Sequence, residues 1–188
     1  MAAVTHPFVL LGMASAAAAL AIAVVAWYQR ESPGAPEYTL VMGVLATWSV
    51  FYVIQLLQPT VAAKAPWLVA RHAITPLIVV LFWIFAARYT DRARFLSAHY
   101  LAPIVAVGAV LTVVIIWNPR SLYWVKLSPA VTHSLAVVDI DFGPMFWLNA
   151  GYTLGVVAGG HLFIVGMFQE SLAVYRPQLT AMTVIGIL

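Results

Sequence analysis

The chain is a succession of long apolar runs separated by short polar breaks. A helix that crosses the hydrocarbon of a bilayer needs about 20 apolar residues at a rise of 1.5 Å each. On that rule five complete spans are predicted, from about Pro7 to Tyr28, Tyr38 to Leu57, Pro66 to Tyr89, Ser97 to Trp117 and Pro144 to Phe168. A sixth opens near Pro177 and is cut off at Leu188, so the chain reads as a piece of a longer protein. The breaks carry turn chemistry: "ESPGAPE" follows the first run, and Pro144 and Pro177 stand where a first helical turn tolerates proline. The longest break covers 118–143. Its "HSLAVVDID" stretch alternates loosely and is rich in valine, which predicts a short hairpin over one mouth of the bundle.

Composition turns this pattern into a class. Hydrophobic residues make up 64% of the chain, charged ones 8%, and mean hydropathy is +0.98; a soluble domain carries roughly 25% charged residues. The expected fold is all-α: one up-and-down polytopic membrane bundle over residues 1–188, with the lipid bilayer as its first partner. Trp27, Tyr28, Tyr38, Trp67, Tyr89, Tyr100, Trp117, Trp147 and Tyr175 all fall near predicted span ends, as an interfacial aromatic belt would. The N-terminal run has no Lys or Arg before it and lasts about 21 residues, longer than the roughly 7–15 of a signal-peptide core, so it reads as a retained span.

Charge adds orientation and removes other classes. The net charge is +3, and the nine basic residues are scattered at run ends, which speaks against nucleic-acid binding. Arg30, Arg88, Arg92, Arg94 and Arg176 fall on one face; Lys64, Arg71, Arg120 and Lys126 fall on the other. The dense "RYTDRAR" cluster sits in a short loop, where the positive-inside rule is most reliable. That places it in the cytoplasm, puts the N-terminus outside, and makes 118–143 an extracytoplasmic loop of a cell-membrane protein. The absence of cysteine excludes disulfides, thiolate metal sites and a cysteine nucleophile.

Polar residues within the spans are the candidate site, because each is costly in hydrocarbon. Gln55 lies near the end of the second span, Arg71 and His72 near the start of the third, and Asn149 and Tyr152 near the start of the fifth, so all five share one leaflet. Trp48, Tyr52 and Gln55 fall on one helix face, as do Arg71 and Thr75. These eight residues are expected to line an outward-facing pocket for a small ligand or membrane partner. The competing reading has Arg71 snorkelling to the interface and the others bonding between helices.

Gly151, Gly155 and Gly159, spaced four apart, make a small-residue stripe for helix packing. His161 reads as an interhelical hydrogen-bonder, and Pro76 and Pro103 as kink sites. No pair among the five histidines has ligand spacing, so no metal site is expected. No catalytic set and no cofactor motif appears. The six acids fall in loops or at span ends, which counts against a proton-coupled transporter.

Four stretches in order carry a resemblance: "LFWIFAARYTDRARFLSAHYLAPI", "VVIIWNPRSLYWVKL", "FGPMFWLNAGYTL" and "YRPQLTAMTVIGIL". Together they resemble the N-terminal seven-helix membrane domain of prokaryotic sensor histidine kinases, common in halophilic archaea and bacteria. The resemblance implies a seventh span, then sensory modules and a dimeric kinase that phosphorylates a response regulator. It implies that this chain is a sensory input domain of a two-component system, with no enzymatic machinery of its own. "AARYTD" is also similar to a stretch of microbial rhodopsins, but Arg92 follows Asp91 here where an aromatic is found there. Two alternatives stay open: a small-solute transporter or channel subunit, and the same domain joined to another output such as a diguanylate cyclase.

Overall fold

A computed structural model describes residues 6–132 and 135–170. The sixth span, Tyr175 and Arg176 lie outside the described residues. Six helices and one hairpin follow in order: α1 (Pro7–Tyr28), α2 (Ala35–Leu57), α3 (Val61–Ala73), α4 (Thr75–Tyr89), α5 (Ala98–Trp117), β1 (Trp124–Thr132), β2 (Leu135–Phe142) and α6 (Pro144–Glu170). Counting Val61–Tyr89 as one broken span, five helical segments among the described residues are long and apolar enough to cross a membrane. Leu11, Leu20, Val25, Val110, Ile116 and Leu162 stand exposed along them, as lipid-facing side chains do.

The helix starts differ from the sequence reading at two places, each for a local reason. α2 begins at Ala35, inside the expected linker. Gly34 caps it in the left-handed region (φ 81°), and Pro36 occupies the first turn. α3 begins at Val61, five residues before Pro66. The Thr60 hydroxyl accepts from the Ala63 N–H at 3.2 Å, and the fully buried Lys64 turns back to the end of α2. Its Nζ donates to the carbonyls of Gln55 at 2.8 Å and Leu56 at 3.0 Å. A cation thus closes the negative end of the α2 dipole and bonds two carbonyls of its last turn.

The third span is not one helix. It breaks at Ile74, between α3 and α4, two residues ahead of Pro76. Pro76 has no N–H for the carbonyl of His72, and its ring crowds that carbonyl. The Thr112 hydroxyl of α5 donates to the freed Ala73 carbonyl at 3.2 Å, and the Thr75 hydroxyl donates to Arg71 O at 3.2 Å. Broken backbone is tolerated at membrane depth only where it is re-bonded in this way or lines a cavity.

The core lies between α2, α4 and α6. Val41, Phe85, Ala86, Ala87, Phe163 and Ile164 are buried together there. Gly159 and Gly160 lie under the Trp83 and Phe82 rings, with so little room that an added Cβ would fall 2.7 Å from each. The hairpin is longer than expected: β1 and β2 pair antiparallel from Trp124↔Phe142 to Thr132↔Leu135, with one irregularity at Val125 between Trp124 and Lys126. Its base packs on Leu68, Ile115 and Phe146.

Candidate functional site

The base of the hairpin is held by one asparagine. Asn118 ends α5 in the left-handed region, and Pro119 stops the helix from continuing. The Asn118 Oδ1 accepts from the N–H groups of Tyr123 at 2.8 Å and Trp124 at 3.0 Å, while Nδ2 donates to Trp124 O at 2.8 Å. From the other side the Gly143 N–H donates to Tyr123 O at 2.9 Å. A Cβ at Gly143 would collide with the Leu122 backbone, so only glycine fits there. Tyr123 is therefore fixed at both its N–H and its carbonyl, and its side chain is fully buried.

The Tyr123 hydroxyl joins two spans. Asn149 Nδ2 of α6 donates to it at 3.0 Å, and His72 Nδ1 of α3 lies 3.4 Å away. A neutral His72 accepting through Nδ1 satisfies all three groups. Burial pushes the Tyr123 phenol up to about 12, against a smaller opposite effect of its bond to Asn149, so it stays protonated at neutral pH. The His72 ring also meets Trp124 edge-on at 4.7 Å between centroids.

Beneath this network a cavity of about 580 Å³ opens between α2, α3, α4 and α6. Trp48, Arg71, His72, Thr75, Asn149 and Thr153 contribute to its wall, with Phe146, Leu154 and other apolar side chains making up the rest. The helix break at Ile74 runs along it. The Arg71 guanidinium carbon sits 5.0 Å from the Trp48 ring centre and 4.8 Å from that of Tyr52. Those two rings stack at 6.1 Å. Arg71 has cation–π partners but no carboxylate within ion-pair distance among the described residues, and its buried Nε has no hydrogen-bond partner. Asn149 Oδ1 and Thr153 Oγ1 are likewise buried without a partner.

Of the eight residues singled out in the sequence, five line this cavity: Trp48, Arg71, His72, Thr75 and Asn149. Tyr52 stands behind Arg71. Gln55 is buried near the Lys64 cap, away from the cavity, with its Oε1 unbonded. Tyr152 turns to α5, where its hydroxyl donates to Ile104 O at 3.0 Å and lies against Gly108. Gly151 and Gly155 have nothing within 4 Å of a built Cβ, while Gly159 faces Trp83. His161 bonds back to Val157 O through Nδ1 at 2.8 Å. Tyr123 and Thr153 were not marked by the sequence; Tyr123 reads as an ordinary loop aromatic, and Thr153 lies one turn beyond Asn149, which was the available signal.

Helices that cross a bilayer, broken beside a partly polar cavity and closed by a hairpin, define a multi-pass helical membrane protein. Residues 11–188 match the family described as the N-terminal 7TM region of histidine kinase, and the chain belongs to that family. It is accordingly a membrane sensory input domain. No curated protein and no solved structure matches the chain.

Proposed function

We propose that this domain serves a two-component sensor histidine kinase, reading an extracytoplasmic or intramembrane stimulus in the Arg71 cavity and relaying it to a kinase that follows in the parent protein. In this reading the hairpin faces outward and the RYTDRAR loop inward, where the positive-inside rule favours it. The parent works as a homodimer and phosphorylates a response regulator. The carrying observation is Arg71: a guanidinium in a membrane cavity, beside a broken helix, with rings but no carboxylate to partner it. An intramembrane charge is costly unless it has a function or a partner.

Occupancy can bias a two-state element only through different contacts in the two states. The α3–α4 break supplies such an element. Arg71 and His72 lie before it and Thr75 after it, so a ligand touching both sides sets the angle between the halves. The test is autophosphorylation of the parent kinase in native membrane vesicles, comparing Arg71→Gln with Arg88→Gln. A roughly 5- to 30-fold change is expected for Arg71→Gln, from a coupling of roughly 1–2 kcal/mol, and little change for Arg88→Gln. Unaltered phosphorylation by a normally inserted Arg71→Gln protein would sink the reading.

A further inference from the structure

We propose that the ligand of this cavity is an amphipathic carboxylate, its head group on Arg71 and its apolar body along α6. The inference rests on the sensory role proposed above. Three observations define the ligand class. Among the described residues Arg71 is the one cation on the cavity wall and has no ion-pair partner, which calls for a single negative charge. Trp48 and Tyr52 lie against the guanidinium at 5.0 and 4.8 Å, and its buried Nε has no acceptor. A planar fork of donors matches a carboxylate's two oxygens side by side, and a carboxylate brings one negative charge where a phosphate monoester brings nearly two at neutral pH. The rest of the wall is mainly apolar, with Ile78, Val79, Leu154 and Val157 below the polar rim. A small inorganic anion would leave that surface without a counterpart, and an uncharged lipid tail would leave Arg71 unpaired. Asn149 Oδ1 and Thr153 Oγ1, both buried and unbonded, remain for a hydroxyl or amide near the head group or for its hydrating water.

Such an acid could enter from the outer leaflet, as a free fatty acid, or from water, as a small aromatic acid. Both share the same recognition chemistry. The test uses the parent protein in phosphatidylcholine nanodiscs, with radiolabelled decanoate and decanol as probes and empty discs as the partition control. Decanoate should bind at least about tenfold more tightly than decanol, the scale of one well-desolvated charge-assisted contact. Arg71→Met should erase that ratio while leaving decanol binding unchanged, and Arg71→Lys, which keeps the charge but not the fork, should leave part of it. Benzoate displacing decanoate supports the water-borne source; displacement by oleate alone supports the membrane source. Equal affinity of the unaltered protein for decanoate and decanol overturns the proposal, as does a ratio that survives Arg71→Met. If the ratio is absent but Arg71→Gln still shifts phosphorylation, the ligand class is wrong and the sensory role stands. If neither is seen, both fall.

Discussion

The third span carries an arginine at each end, and the two are treated in opposite ways. Arg88, in the last turn of α4, meets Glu37 in the first turn of α2 as an ion pair, and its own side chain is 56% exposed. Arg71, in α3, is packed against two rings and has no acid within ion-pair distance among the described residues. One end has its opposite charges matched within the protein, with Glu37 Oε2 buried and unbonded. The other keeps a charge ready beside an open cavity. Placing a guanidinium in hydrocarbon costs roughly 2.5–3.5 kcal/mol on insertion scales. Two cation–π contacts of about 0.5–2 kcal/mol each offset part of it. In the reading proposed above, the remainder is what a ligand would remove on binding at Arg71.

The most direct way to break the contrast is to give Arg71 an acid of its own. Asn149→Asp changes no volume and places a carboxylate on the wall of the same cavity. The Tyr123 hydroxyl, which accepts from Asn149, would turn its proton from His72 to the new carboxylate. Decanoate affinity should fall at least about tenfold, because an internal anion competes for the guanidinium and like charges repel. The thermal midpoint of the reconstituted protein should not fall. Undiminished decanoate affinity in this variant would mean that Asn149 and the acid do not share a binding region.

The opposite end should behave as structure only. Removing the guanidinium with Arg88→Met leaves the Glu37 carboxylate, 11% exposed, without its counter-charge. A loss of about 1–3 kcal/mol in unfolding free energy in detergent is expected, the cost of an unsatisfied, mostly buried group. Adding Glu37→Gln removes the stranded charge and should restore more than half of that loss. Additive rather than compensating effects of the two substitutions would show that the pair is a crossing of side chains with no energetic coupling.

These two ends differ also in how readily they can be read from residues alone. Hydropathy counts composition along the chain, so the runs of α1, α5 and α6 stand out at once, and Arg71, His72 and Asn149 fall out as polar residues in one leaflet. Period 3.6 then groups Trp48 with Tyr52 and Arg71 with Thr75. What periodicity cannot supply is the rotation of one helix against its neighbours. Tyr152 is three residues from Asn149 and yet turns to Ile104 of α5. Pairings far apart in sequence are equally silent: Glu37 with Arg88, and Lys64 with the last carbonyls of α2, use groups that look like ordinary boundary residues. The break at Ile74 was signalled by Pro76, but a proline disturbs the turn before it, so the helix ends two residues earlier than the proline itself. The role of Tyr123 depends on Asn118 and Gly143, which hold its backbone, and nothing in the local pattern announces that.

Tyr123 gives the mildest test, and it separates the network from the cavity below it. Tyr123→Phe keeps the ring packing and removes the hydroxyl that Asn149 and His72 share. Each buried group left without a partner is worth about 1 kcal/mol or somewhat more, so a modest loss of stability is expected at neutral pH. The phenol's pKa rises from 10.0 in the unfolded chain to about 12 in the folded one. The folded state therefore binds the proton more tightly. The phenol's contribution is fully present below pH 10 and is lost as pH climbs towards 12. The native protein's thermal midpoint should fall more steeply than that of Tyr123→Phe across this window, while the two curves run parallel from pH 6 to 9. Decanoate should still outbind decanol in the variant, since Arg71 keeps both its rings. A variant that lost this discrimination would show that the hairpin network itself forms part of the binding surface, and the line drawn here between a rigid roof and a responsive cavity would have to move.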